Sequence, residues 1–303
     1  MPAKIRVIVN RKARSGCKRN LLERLSRALS GLDFEIVVPE SYDDLVAAAR
    51  SAPQDGVETV VVVGGDGTVN IVLNELAHTP VRLAIVPAGT ANDLARQLGI
   101  PLGLERACAR IRDGKPQVLD LIDVNGRLFV TAGGIGVVSD TAVGVNRLKA
   151  KPGLLSKTVR RLGALVYVLY SFGLLAGSRS IVSDLEMAID GEDHGQIPTI
   201  ALFVNNQPSL GKLVVPYPSA RPDDGRLGVC VMARRSRLGA ILTVILMSLG
   251  GAHTRRKEIR LIEGESLAVT SPVPKTFIGD GEVLAHADAF ALRVVPRALH
   301  VLA

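Results

Sequence analysis

The run "VVVVGGDGTVN", residues 60–70, restricts the possible folds more than any other stretch of the chain. Val60 to Val63 are β-branched and show no polar alternation, the pattern of a strand buried on both faces at the centre of a parallel sheet. Gly64, Gly65 and Gly67 follow at once, and without Cβ atoms they let backbone N–H groups approach a ligand closely. Val69, Val72, Leu73 and Leu76 then recur on one face of a helix. A strand therefore meets a helix N-terminus through bare backbone, and such a junction offers N–H donors and the positive end of a helix dipole to an anion such as phosphate. A tight turn without a ligand is the plain alternative, and Asp66 and Thr68 among the glycines weigh against it. The spacing fits neither of the two commonest nucleotide fingerprints.

Short apolar runs at 4–10, 34–38, 59–63 and 82–87 alternate with helical patterns such as "RNLLERLSRAL" and "YDDLVAAAR". This alternation predicts a doubly wound parallel sheet over roughly residues 1–120, with ligands outside the carboxyl ends of its strands. Three loops then matter. The first, "NRKARSGCKRN", combines Asn10 with five basic residues. The second spans Gly64 to Asn70, and the third, "VPAGTANDLARQLGIP", sets Gly89 and Thr90 before Asn92 and Asp93, either of which would also serve as a helix N-cap. Their convergence on one edge of one sheet argues for a site. Beyond "DGKPQVLDLIDVNGRLFV" the strands shorten and turn signals appear: "VNGR", "IDGEDHG", "PDDGRLGV" and "IEGES". These predict a largely antiparallel β domain over 122–287, with inserted helices near 155–176 and 236–252.

The 303 residues suit two domains, and the net charge of +8 calls for an anionic partner. Nucleic acid is disfavoured, because 3% aromatic content without Trp leaves little for base stacking. Basic clusters abut apolar segments: "RLKAKPGLLSKTVRR" precedes "LGALVYVLYSFGLLAG", while "ARRSR" and "TRRK" flank "LGAILTVILMSLGGAH". That arrangement suits the surface of an anionic membrane, and both apolar segments fall short of the ~20 residues a spanning helix needs. The three cysteines match no metal or redox spacing and the start carries no signal peptide, so a cytoplasmic protein is expected.

"GGDGT", "PAGTANDLAR" and the downstream "GDGE" at 279–282, in this order, resemble the diacylglycerol kinase catalytic family, which includes relatives acting on sphingosine and ceramide. The resemblance covers nearly the whole chain. It implies ATP with its phosphates near Gly65, Asp66, Gly67 and Thr68, further contacts from Asn10 and Thr90, and a lipid alcohol as acceptor. It implies an ATP domain over 1–121, completed by the tail 288–303, and a second domain of β-sandwich type peripheral to the membrane; a homodimer is left open. Mg²⁺ would correspond to "ARPDDGRL", held by Asp224 and the backbone carbonyls of Arg221 and Arg226, oxygen donors of the kind it favours. Glu282 would accept the hydroxyl proton, and Asp280, two residues earlier and on the same side of an extended segment, would orient the hydroxyl or a metal-bound water; a surface turn is the plain alternative for these residues. Asp66 would polarise Mg²⁺-bound water or hold its loop. Arg11, Pro39 and Ile71 stand where the family usually has Pro, Thr and Glu. Two other readings are weighed: an NAD kinase, which shares the glycine loop but needs a Thr-, Gly- and Ser-rich downstream motif not seen here, and a catalytically silent binder, against which Asp66, Asp280 and Glu282 count.

Overall fold

The computed structural model of the chain describes residues 4–10, 20–177, 181–211, 213–234 and 236–303. The chain begins with β1 (Ile5–Val9), α1 (Leu21–Ala28), β2 (Phe34–Val37), α2 (Tyr42–Arg50), β3 (Thr59–Gly64), α3 (Asp66–Leu76) and β4 (Arg82–Pro87). Next come α4 (Asp93–Gln97), α5 (Leu104–Asp113), β5 (Pro116–Val124), β6 (Arg127–Phe129), β7 (Ala132–Gly136), α6 (Val137–Ala150), α7 (Leu154–Leu162) and α8 (Leu165–Ala176). It ends with β8 (Ser183–Ile189), β9 (Glu192–Asn205), β10 (Leu227–Ala233), α9 (Arg237–Ser248), β11 (Ile259–Gly264), β12 (Ser266–Gly279) and β13 (Glu282–Leu302). Two compact units result: Met1–Asp120 with Pro296–Ala303, and Leu121–Val295. The first is mixed α/β and the second is rich in β-structure.

In the first unit β1 pairs in parallel with β2 and β3, and β3 with β4. All of Val60 to Val63 are buried, at 1% exposure or less, as expected of an interior strand with no polar face to give to water. The register places Val63 beside Val9 and Val86, so the three glycine- or asparagine-bearing loops leave the sheet at the same edge. The last strand stays with the second unit through Val295, and its end then joins the first. Val301 pairs in parallel with Leu83, while Lys115 and Ala303 exchange backbone bonds of 2.8 and 3.3 Å.

The second unit is antiparallel: β9 pairs with β7, β8 and β10, β10 with β11, and β12 with β7, β8 and β13. Its strands serve two cores by alternation. Leu202, Val204, Val229 and Val231 enter a core made of strand residues, where Phe277 lies between Phe129 and Phe290 at centroid distances of 5.7 and 5.8 Å. Ala201, Phe203, Cys230 and Met232, on the opposite face, enter a core covered by α6, α8 and α9.

Three expectations need correction. "IEGES" joins β11 to β12 but is no hairpin, because β11 pairs with β10 while β12 pairs with β7, β8 and β13. "PDDGRLGV" runs into β10, whose antiparallel partner β9 ends at Asn205, so a long loop rather than a tight turn joins them. α6 was not anticipated; the glycines of "AGGIG" mark a strand end packed so closely that a Cβ on Gly136 would stand 2.5 Å from the Ile200 carbonyl.

Candidate functional site

In the first unit the loops that close the sheet edge hold one another. β3 ends at Gly64, and α3 begins with Gly65 as N-cap, a residue with no side chain to satisfy the helix's first N–H groups. Gly64 leaves room for Thr68: a Cβ there would lie 2.8 Å from the Thr68 Cβ. Thr68 is buried, and its hydroxyl accepts a 2.8 Å bond from the Asn10 side chain, which ties the first loop to the second. The remainder of the first loop, 11–19, lies outside the described residues. Gly65 meets Gly89 backbone to backbone; a Cβ on Gly89 would stand 2.5 Å from the Gly65 Cα, so neither loop tolerates a side chain here.

Asp66 is the tie between the second and third loops. Its two carboxylate oxygens accept the backbone N–H groups of Asn92, at 2.8 Å, and Asp93, at 2.6 Å. Burial pushes its carboxyl above the usual carboxylate range, against the lowering effect of these N–H bonds and of the Arg96 charge. Of the two roles expected for Asp66, holding the loop is the one its bonds display. Asn92 does not cap α4 with its side chain; in a left-handed conformation (φ 52°) it closes its own loop, bonding the Gly89 N–H at 2.9 Å and the Gly89 carbonyl at 3.1 Å. Thr90 is exposed between them, and Asn70 is buried one turn into α3, where Asn74 donates to its carbonyl.

In the second unit Asp280 and Glu282 do not share one side of an extended segment. Asp280 (φ 52°) and Gly281 (φ 81°) form a two-residue turn between β12 and β13, and Glu282 pairs with Gly279 across it. The Asp-Gly pair takes the positive φ values that such a hairpin demands, which overrides the extended reading. The Asp280 side chain is turned inward. Its oxygens accept the N–H groups of Val130 and Thr131 and, at 2.6 Å, the Thr131 hydroxyl. Glu282 is exposed at the start of β13. Asn146 of α6 donates to the Gly281 carbonyl and supports the turn.

Sequence reasoning overlooked the Val130–Thr131 cradle. It also overlooked Asn206, buried, which grips the same dipeptide by donating its side-chain N–H to the Val130 carbonyl at 3.0 Å and its backbone N–H to that of Thr131. The signal was there: "NNQ" at 205–207 puts three amides at the end of an apolar strand. Arg221, Asp224 and Arg226 lie on a turn at Gly225 (φ 75°), where Asp224 accepts the Arg226 N–H at 3.0 Å. That turn is near Asp190: burial works against the Asp190 carboxylate, but N–H bonds from Ser266 and Glu265, with the Arg226 charge, hold its pKa below the usual value. Among the described residues no group of three or more His, Cys, Asp or Glu side chains could hold a metal.

Comparison with known proteins decides the family. Residues 4–124 match the diacylglycerol kinase catalytic domain, and residues 145–303 match the YegS C-terminal NAD kinase beta sandwich-like domain. The chain belongs to the diacylglycerol kinase catalytic family. Among curated proteins it is similar to the diacylglycerol kinase of Bacillus subtilis, 28% identical over 79% of this chain and 76% of that one. The diacylglycerol kinase of Staphylococcus saprophyticus is 27% identical over 87% of this chain and 82% of its own. Among solved structures a diacylglycerol kinase from Bacillus anthracis superposes with a TM-score of 0.73 at 20% identity, covering 99% of this chain and 97% of that one. An NAD kinase from Archaeoglobus fulgidus in complex with ATP gives 0.52 at 11% identity, over 99% and 93%. The last two likenesses concern the fold. A family of kinases makes the chain a phosphotransferase.

Proposed function

We propose that the protein transfers the γ-phosphoryl group of ATP to the hydroxyl of diacylglycerol or a similar long-chain lipid alcohol. One observation carries the reading: Asp66 clamps together two turns that meet at the bare backbone of Gly65 and Gly89, at the N-terminus of α3, in a family of diacylglycerol kinases. Bare backbone at a helix start takes phosphate, and Gly65, Gly67 and Gly89 supply it. Asn10 and Asp66 act as positioning residues, since each bonds the loops themselves. The same reading takes the first unit as doubly wound and the second as a β-sandwich.

Phosphoryl transfer rests on positioning and charge stabilisation. The acceptor hydroxyl loses its proton to Glu282 as its oxygen bonds phosphorus, and the bond to the bridging oxygen of ADP breaks. Asp280 fixes the turn that carries Glu282. Mg²⁺ suits the oxygen donors of Asp224 and of the Arg221 and Arg226 carbonyls; when bound it supplies fixed positive charge.

The test is single-turnover transfer from labelled ATP to lipid extracts and, separately, to NAD. Label in a lipid supports the reading; label in NAD favours the NAD kinase alternative, and label in neither favours a silent binder. Glu282 is exposed, so Glu282→Gln should leave stability unchanged yet lower kcat about 10²- to 10⁴-fold with nucleotide affinity retained. A normal kcat would remove Glu282 as the base.

A further inference from the structure

We propose that Thr131 and Asn206 are positioning residues for Glu282, an inference that rests on the reading of Glu282 as the proton acceptor. Between β6 and β7 the chain runs through Val130 and Thr131, a two-residue link in which every backbone polar group is held. The N–H groups of both residues donate to the Asp280 carboxylate. Their carbonyls accept from one residue, Asn206, whose side chain reaches Val130 at 3.0 Å and whose backbone N–H reaches Thr131 at 2.9 Å. The Thr131 hydroxyl adds the shortest bond of the group, 2.6 Å to Asp280. Asn206 thus acts on Asp280 through two peptide units.

The link is also joined to the root of the hairpin by bare backbone. Gly133 and Gly134 of β7 pair with Gly279 and Ile278 of β12, and a Cβ on Gly133 would run into the Ile278 carbonyl oxygen. A Cβ on Gly279 would stand 2.8 Å from the ring of Phe129, the residue just before the link. Contacts of backbone on backbone and backbone on ring leave no flexible side chain to absorb a shift. Gly279 pairs in turn with Glu282 across the hairpin, and Asn146 holds the Gly281 carbonyl between them. A displacement of Val130 and Thr131 therefore arrives at Glu282.

Burial sets this turn apart from others of its kind. Asn125 and Asp190 begin exposed Asn-Gly and Asp-Gly turns, whereas Asp280, Val130, Thr131 and Asn206 are all buried. Burying an amide and a carboxylate is costly unless both are well bonded, and a well-bonded buried network is rigid and fixes one geometry. Here the rigid network ends at an exposed glutamate. A group that must meet a reacting hydroxyl needs such support, since a misplacement of ~1 Å costs on the order of 10²-fold in rate.

The experiment is transfer from labelled ATP to a dissolved short-chain diacylglycerol by Thr131→Val, Thr131→Ser and Asn206→Ala, each alone and combined with Glu282→Gln. Thr131→Val and Asn206→Ala should lower kcat about 10- to 100-fold with KM for both substrates near wild type. Thr131→Ser, which keeps the hydroxyl, should recover most of that loss. In the Glu282→Gln background the two damaging changes should cost less than about twofold more, because a base already removed cannot be misplaced. Losses that multiply in that background overturn the proposal and leave Glu282 as the base. So does a near-normal kcat in Thr131→Val, the variant closest in shape, even where Asn206→Ala does not fold. Asn205→Ala is the control for a weakened strand end: Asn205 is buried beside Asn206, but its amide donates to the Gln207 carbonyl. Its melting temperature should fall while its kcat holds, and a kcat loss equal to that of Asn206→Ala also overturns the proposal. A normal kcat in Glu282→Gln alone defeats the base reading, and the proposal with it, in an arm that contains neither positioning change.

Discussion

Asp66 performs in one side chain what the local sequence distributes over a loop: it begins α3 and fixes the backbone N–H groups of Asn92 and Asp93. Those partners lie 26 and 27 residues away, so no spacing rule finds them, and a motif read locally makes Asn92 a cap when its side chain in fact closes onto Gly89. The same burial that makes the clamp rigid makes its charge costly. Because the carboxyl titrates above its ordinary range in the folded protein, the folded state binds a proton that the unfolded chain has already released. In the interval between the two pKa values stability should therefore fall as pH rises, and the cost is present in full above the folded pKa. Asp66→Asn cannot titrate. Asp44, Asp55 and Asp190, held below their ordinary range by hydrogen bonds, pull the other way in both proteins, so urea unfolding across mildly acidic pH should show a slope of stability with pH that is more negative in the wild type than in the variant; identical slopes would mean the buried charge is not the cause.

Single elements in the second unit repeat one device. Asn125–Gly126, Asp190–Gly191 and Asp280–Gly281 each close a two-residue hairpin with both residues at positive φ, and each sends its first side chain to backbone outside its own hairpin. Asn125 accepts the Ala291 N–H and donates to the Ala289 carbonyl; Asp190 accepts the N–H groups of Glu265 and Ser266; Asp280 accepts those of Val130 and Thr131. The first two turns were legible as Asn-Gly and Asp-Gly signals; the third was weighed as a surface turn but set aside because its motif invited a chemical reading before a conformational one. Asp280 is thus built as a staple, and its link to chemistry runs through the turn that carries Glu282. Asp280→Asn brings amide hydrogens against N–H groups in a buried place, 7% exposed, and should lower stability by about 1–3 kcal/mol. Asp190→Asn does the same at an exposed turn and should cost less. Only the Asp280 change should lower kcat, and restoring temperature-matched stability should not restore it. Urea midpoints and single-turnover rates on both variants check this; equal kcat losses would mean that general destabilisation, not the placement of Glu282, explains the effect.

At the scale of the whole molecule, the strands of the first unit were legible because β-branched runs buried on both faces leave little ambiguity. What the last residues contribute to that unit came only from the family resemblance, which has the tail 288–303 completing it, since nothing local marks a strand that changes company at Pro296. Ala298, Leu299 and Val301 are at most 1% exposed. The Ala298 carbonyl accepts the His78 N–H at 2.8 Å, and the Arg297 N–H bonds the buried Asp120 at 2.7 Å. Burying a side chain such as Leu or Val contributes about 1.5–3 kcal/mol, and a domain is stable by only about 5–15 kcal/mol, so this short segment supplies a large share of the first unit's margin. Deleting 296–303 should accordingly unfold the first unit and abolish ATP binding, although its bonds given above reach none of the glycine loops. The second unit has two cores of its own and should still melt cooperatively. Calorimetry with ATP titration of the deletion variant is the measurement: one surviving transition without nucleotide affinity is expected, and unchanged ATP affinity would show that the unit stands without its final segment.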